Sequence, residues 1–198
     1  MKNIKDSEFI RGEVPMTKFN IRSLSIAHLQ IEKGDKFLDI GGGTGSVSVE
    51  AALQGADVLT VEFDKTAYAL IKENAKKFGV KINLILGKAP EALFSSEYKD
   101  LQFDKCFIGG SGGELKNIFD YLESHLKKGG IICANFILIK NLNEFLGLLE
   151  KYGYTEIEAD LIQTASMGRA GLFKGENPIY IVRAKLSKTK SELKNPLA

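Results

Sequence analysis

The stretch LDIGGGTGS, residues 38–46, decides how the rest of this chain is read. Apolar Phe37, Leu38 and Ile40 make a short strand, four closely spaced glycines turn the chain sharply, and Ser46 opens a helical pattern. Glycine permits positive φ and leaves no Cβ between the backbone and a ligand. A strand, a glycine turn and a helix in that order form the nucleotide-binding corner of an open α/β sheet. The turn alone does not say which nucleotide, so its surroundings must.

Outward from that corner, short apolar runs alternate with helical patterns. The helix at 46–53 carries Val47, Ala51 and Ala52 on its apolar stripe and closes at Gly55. Further strands are predicted at 57–62, 82–86, 103–108 and 131–137. A helix is predicted from an Asp64 cap to Phe78 with Gly79 as its stop, a short turn at 89–93, and helices at 114–126 and 143–152. The strand runs are almost continuously apolar, as in parallel strands covered on both faces. After Gly153 the rhythm changes. Residues 154–165 and 178–186 read as two strands joined by the loop 167–177 with no crossover helix, hence an antiparallel hairpin. Ahead of the first strand, 17–29 reads as a helix capped by Thr17. The fold class is therefore α/β, with a mostly parallel seven-stranded sheet and a terminal antiparallel hairpin. That is the class I (Rossmann-like) methyltransferase arrangement, whereas dinucleotide dehydrogenases continue into a second alternating half.

A chain of 198 residues fits one domain. It is predicted over 1–186, with a helical substrate-side segment at 1–30 and a flexible lysine-rich tail at 187–198. No apolar run reaches the roughly 20 residues of a membrane span, and the first residues lack the apolar core of a secretory signal, so a cytoplasmic location is expected. A net charge of +2 does not suggest a nucleic-acid partner. Cys106 and Cys133 lie in apolar runs without metal-ligand spacing and read as buried thiols, with no metal site expected. His28 and His125 lie near helix ends with no acid beside them in sequence, and read as solvated or capping.

Glu62 ends the second strand, where a carboxylate can accept from both ribose hydroxyls, a position that dinucleotides also use. The GGGTG spacing is more selective. Val47 stands where a further glycine would help seat a pyrophosphate on the helix N-terminus. Together with the hairpin, this points to S-adenosyl-L-methionine held by Gly41, Gly42, Gly43, Thr44 and Gly45, and to a methyltransferase. Asp39 either reaches the donor's ammonium through water or fixes the glycine turn. Thr44 reads as a loop-shaping hydroxyl. The Ala89 N–H either meets an adenine nitrogen or belongs to a plain turn. After the fourth strand, the glycine-rich run 109–113 either faces the acceptor, with N–H groups suited to carboxylates, or is a flexible turn.

Several stretches resemble one family closely: DSEFIRG (6–12), VPMTK (14–18), DIGGGTGSVSVEAA (39–52), APEAL (89–93), FIGGSGGEL (107–115), Asn135, and GRA…NPI (168–179). The chain is similar, over about residues 6–182, to the decarboxylating cobalt-precorrin-6B C15-methyltransferases of cobalamin (corrin) biosynthesis. The resemblance implies methylation of ring carbon C15 of a cobalt-containing tetrapyrrole and loss of the ring C acetate carboxyl as carbon dioxide. It also implies a homotetramer, and a separate chain for C5 methylation, whose fused domain is not in this sequence. It adds Thr17 to the donor contacts, with a helix cap as the competing reading, and places Gly110, Ser111, Gly112 and Asn135 beside the substrate. A substrate with many carboxylates calls for cations, and Arg11, Lys18, Arg22, Arg169 and Lys174 are candidates, each also readable as ordinary surface charge. No catalytic side chain is assigned. Two departures stand out: Lys88 where relatives often carry Asp, and Lys140 where they typically carry Glu. An RNA-base or other small-molecule methyltransferase is the alternative. The Asn/Asp-Pro-Pro-aromatic motif frequent in base methyltransferases is replaced here by IleGlyGlySer.

Overall fold

Alternation of apolar strands with amphipathic helices produces a sheet layered between two sets of helices. The computed structural model describes residues 4–187, so the predicted tail, Ser187 excepted, lies outside the described residues. After a 3-10 turn at Asp6–Glu8 come α1 (Phe19–Leu29), β1 (Lys36–Ile40), α2 (Ser46–Leu53), β2 (Asp57–Glu62), α3 (Lys65–Phe78) and β3 (Ile82–Leu86). Then follow α4 (Glu91–Phe94), β4 (Phe103–Ile108), α5 (Leu115–His125), β5 (Leu126–Phe136) and α6 (Ile139–Lys151). β6 (Tyr154–Ile162), β7 (Ala165–Met167), β8 (Phe173–Gly175) and β9 (Ile179–Leu186) complete the order.

The main sheet runs β3-β2-β1-β4-β5-β9-β6. Its first five strands are parallel, and β9 pairs antiparallel with both β5 and β6. The expected seven-stranded sheet with a terminal hairpin is present. The order reverses at β1, so the crevice between the ends of β1 and β4 is the topological switch point, where ligands of open α/β sheets bind.

Alternate residues of β1 serve opposite faces. Leu38 and Ile40 join the larger core with Ile118, Phe119 and Phe145 of α5 and α6. Phe37 joins the second core with Ile21 and Leu29 of α1 and Val47 of α2. Phe119 is fully buried and packs edge-on against Phe145 and Tyr154, with ring centroids 5.4 and 5.7 Å away. As read from the sequence, Asp64 caps α3, its Oδ1 accepting from the Ala67 N–H at 2.8 Å, and Gly79 ends the helix in the left-handed conformation.

Several boundaries differ from the sequence reading. α1 starts at Phe19, so Thr17 is not its cap, and Lys18 at the cap position makes no side-chain cap bond. β5 begins at Leu126, where a register shift against β4 accommodates the polar Lys127 and Lys128, which carry no strand periodicity. α6 begins at Ile139, four residues ahead of the predicted start at 143. The loop inside the hairpin holds the two-stranded ribbon β7–β8. His28 is not merely solvated: its Nε2 lies 2.7 Å from Asp160 Oδ2. These residues stand 132 positions apart, and only the packing of α1 against β5 and β9, with β6 next in the sheet, brings them together. His125 stays a capping residue, Nδ1 lying 2.7 Å from the Tyr121 carbonyl oxygen.

Truncating Phe119 to alanine empties the centre of the aromatic cluster. The expected loss is about 3–5 kcal/mol of unfolding free energy, measured by urea denaturation with an unchanged m-value. A loss below about 1 kcal/mol would mean that the cluster does not support α5 and α6 as described.

Candidate active site

Three backbone bonds lace the strand ends together at the switch point. Gly41 N–H donates to the Val61 carbonyl, Gly109 N–H to Ile40 and Gly87 N–H to Glu62, each at 2.9 Å. The loops after β1 and β4 then touch backbone to backbone. A Cβ at Gly41, whose φ is +75°, would lie 2.6 Å from the Gly110 carbonyl oxygen. At Gly42 it would strike the Thr60 methyl. Glycine is required at both, and the loop Gly41–Gly43 is left facing a cavity.

That cavity has a volume of about 750 Å³, within the range of small-molecule sites. One part is walled by Gly41, Gly42, Gly43, Glu62, Phe63 and Asp64, and another by Gly109, Asn135, Ile137 and Ile179. Residues 13–18 close a further side, with Thr17 and Lys18 on the wall. Glu62 is buried and organises the corner: Oε2 accepts from Gly43 N–H at 2.9 Å and Oε1 from Asp64 N–H at 2.8 Å. Each carboxylate oxygen keeps a further lone pair for a ligand hydroxyl.

Behind the loop lies a buried polar chain. Ser48 Oγ donates to Asp39 Oδ2 and sits 2.7 Å from Thr60 Oγ1, while Asp39 Oδ1 is buried without a hydrogen-bond partner among the described residues. Burial pushes the Asp39 carboxyl up to about 7, against the lowering effect of the Ser48 hydrogen bond, with nearby Glu62 raising it further. Asp39 is not on the cavity wall: one oxygen is held by Ser48 of α2, and the other is enclosed behind the loop. On the cavity wall away from Glu62, Asn135 Oδ1 accepts from Ser25 Oγ at 3.1 Å, and its Nδ2 is buried without a partner among the described residues.

The remaining sequence candidates divide. Ala89, Gly110, Ser111 and Gly112 do not face the main cavity; they line a smaller adjoining one that shares Gly41 and Phe63 with it. Thr44 and Gly45 stand behind the loop: Thr44 is buried with its carbonyl accepting from Asn74, and Gly45 is the cap position of α2. Arg11, Arg169 and Lys174 are exposed and off the wall. Arg22 must be corrected. It is fully buried, with Nε on Glu50 at 2.8 Å and Nη1 on Asp6 and the Thr17 carbonyl at 3.0 and 2.6 Å. A guanidinium so engaged cannot turn to a substrate carboxylate. Sequence reasoning missed Phe63, Met16, Ile137 and Ile179 on the wall. Phe63, two-thirds exposed where the cavities meet, was findable as an aromatic directly after a strand end. Ile179 was not, because only the pairing of β9 with β5 puts it there.

The sheet order and this corner make the chain a class I S-adenosylmethionine-dependent methyltransferase. The glycine cradle and Glu62 fit that donor. A family model described as a precorrin methyltransferase domain matches residues 8–185, and the chain belongs to that family. It is 36% identical over 186 residues to the cobalt-precorrin-6B C(15)-methyltransferase (decarboxylating) of Salmonella typhimurium, covering 90% of this chain and 94% of that protein. The crystal structure of precorrin-6y C5,15-methyltransferase from Geobacter metallireducens superimposes with a TM-score of 0.85 at 31% identity, covering 93% of this chain and 97% of that one. The precorrin 8w decarboxylase of Methanobacterium thermoautotrophicum gives 0.82 at 30%, covering 91% and 98%.

Glu62→Ala removes charge-assisted acceptors from the donor corner. Donor affinity by calorimetry should fall by about 1.5–3 kcal/mol, and an unchanged affinity would remove Glu62 from the site. Asp39 predicts a pH effect. Its ionised form is disfavoured in the fold, so its contribution to stability is full below about pH 4 and is lost as pH rises toward about 7. The unfolding free energy of the donor-free protein, taken relative to Asp39→Asn, should therefore decline across that window. A flat difference would show that Asp39 ionises freely in place.

Proposed function

We propose that this chain methylates C15 of cobalt-precorrin-6B and releases the ring C acetate carboxyl as carbon dioxide. The observation that carries the proposal is a single cavity joining a donor corner to a second, largely apolar end. At that end Ile137, Ile179 and Ile21 offer flat apolar contact to a macrocycle, and the unpartnered Asn135 Nδ2 offers a donor to one of its carboxylates. Similarity over almost the full length of relatives whose names carry this reaction supports the same substrate.

When bound, S-adenosylmethionine supplies an electrophilic methyl group. The protein's share is orientation and electrostatics. Thr17 and the loop Gly41, Gly42 and Gly43 hold the donor's flank, Glu62 takes its ribose hydroxyls, and the Ala89 N–H meets the adenine from the smaller cavity. Lys18 faces the cavity as a cation for substrate carboxylates. Arg169 and Lys174 sit on the loop and ribbon that rise beside Ile179, at the same end of the sheet, and Arg11 lies at the start of the segment that covers the cavity. Together these cations match a substrate bearing many carboxylates. Gly110, Ser111 and Gly112 line the smaller cavity with Ala89, and their backbone N–H groups are offered there to a substrate carboxylate that reaches past the shared Phe63. No nucleophilic side chain or protein-bound metal is needed, because the donor is already activated and the conjugated ring can take up the electrons freed by decarboxylation.

The resemblance to this family also supports a homotetramer acting in the cytoplasm, with C5 methylated by a separate chain. Met167, Leu172 and Phe173, exposed on and around the ribbon, supply apolar surface of the kind that subunits cover.

Incubating the protein with S-adenosylmethionine and cobalt-precorrin-6B should yield a pigment that has gained one methyl and lost one carbon dioxide, read by mass spectrometry. Methyl gain without carbon dioxide loss would sink the decarboxylating half. Unchanged pigment from protein that binds the donor would sink the substrate assignment.

A further inference from the structure

One wall of the donor cavity is made by neither the sheet nor its loops. Residues 4–18 cross over from outside, and Val14, Pro15, Met16 and Thr17 face the cavity. The Pro15 carbonyl oxygen comes so close to the donor loop that a Cβ at Gly43 would lie 3.1 Å from it. This segment makes no strand pairing with the sheet, so something else must fix its height above the donor.

We propose that Arg22 and Asn74 are positioning residues that clamp residues 4–18 onto the donor loop and thereby set donor affinity without touching the donor. The proposal rests on reading the Gly41–Glu62 corner as the donor site. Arg22 fastens both ends of the strap. Through Nη2 it donates to the Ile4 carbonyl, and through Nη1 to Asp6 Oδ1 and the Thr17 carbonyl. Its Nε donates to Glu50 on α2, the helix that starts where the donor loop ends, and the same Glu50 oxygen accepts from Ile4 N–H at 3.3 Å. The Phe9 ring covers the guanidinium, with its centroid 4.8 Å from the central carbon.

Asn74, fully buried on α3, fastens the middle. Its Oδ1 accepts from Ile10 N–H at 2.8 Å, and its Nδ2 donates to the Ile10 carbonyl at 2.7 Å and to the Thr44 carbonyl of the donor loop at 2.9 Å. One amide thus joins strap and loop directly. Between Ile10 and Thr17 lies the span that walls the cavity, hydrogen-bonded to the clamps at each end, with Met16 packed against the Ile4, Phe9 and Val49 cluster between them. Arginine suits this task because its planar fork meets several acceptors at fixed angles, which a lysine ammonium cannot do.

The span is bracketed by two exposed trypsin sites, Arg11 and Lys18, so its position can be read without turnover. In the wild type, S-adenosylmethionine should slow cleavage at both. Arg22→Met combined with Glu50→Gln removes the clamp while leaving no unpaired buried charge on α2. Asn74→Ala removes the second clamp. In either variant, folded by circular dichroism at the assay temperature, donor affinity by calorimetry should fall at least tenfold. Cleavage at Arg11 and Lys18 should become fast and insensitive to the donor. A dissociation constant within twofold of wild type in a folded variant, with protection retained, would overturn the proposal: the clamps would then serve stability alone. Asp6→Asn keeps the Arg22–Glu50 pair and changes a carboxylate that is about one-third exposed. Where the other variants do not fold it decides the matter, weaker affinity with faster cleavage supporting the clamp and wild-type values for both overturning it.

Discussion

The backbones of two loops, after β1 and after β4, lie in direct contact at Gly41 and Gly110, and the active site is arranged around that contact. Any side chain at Gly41 would occupy space already taken by the Gly110 carbonyl and amide. Because the loops can close on each other, the ends of β1, β2 and β4 are held by backbone hydrogen bonds, and the loop Gly41–Gly43 is fixed at the crevice. Glu62 then has a defined place in which to accept from Gly43 and Asp64, and the donor corner acquires its shape from the backbone. A site held this way needs few side chains for recognition and loses little order on binding.

Polar burial is concentrated on the donor side of the sheet. Asp39, Ser48 and Thr60 form one buried chain, and Arg22 with Glu50 and Asp6 forms another. Burying such groups costs free energy unless each is hydrogen-bonded, and replacing them by apolar residues often does not destabilise a fold. Their placement around the loop and its covering segment therefore serves geometry more than stability. The opposite layer is built differently. Phe119, Phe145, Tyr152 and Tyr154 pack ring against ring beneath α5 and α6, where hydrophobic burial supplies the stability that the donor side gives up.

The terminal hairpin shapes the apolar end of the cavity. β9 runs against β5 with Tyr180 opposite Phe136 and Ile181 opposite Asn135, so its first residue, Ile179, arrives at the same rim as the donor loop. An antiparallel partner at this position turns the ribbon β7–β8 upward beside the cavity instead of returning it beneath the sheet. The ribbon and the segment 4–18 thus come from the two ends of the described chain, both outside the alternating β/α core.

What the sequence determined by itself was the repeating core and its corner. Continuous apolar runs marked the parallel strands, Asp64 and Gly79 marked the limits of α3, and the glycine run with Glu62 marked one corner of the cavity, because each signal lies within a few residues of what it specifies. The family resemblance, carried by motifs along most of the chain, agrees with the precorrin methyltransferase family to which the chain belongs. Tertiary structure alone decided how charged and polar side chains are used. Arg22 looked like a surface cation on a helix, yet Glu50, 28 positions away, and Asp6, 16 away, draw it into the interior. His28 found Asp160 only after β6 docked beside α1, and Ala89 with Gly110, Ser111 and Gly112 was separated from the main cavity by where the strand ends meet. Local periodicity records which face of an element is apolar. It carries no information about which distant charge will stand opposite once the layers stack, and a charged group's role is set by that neighbour.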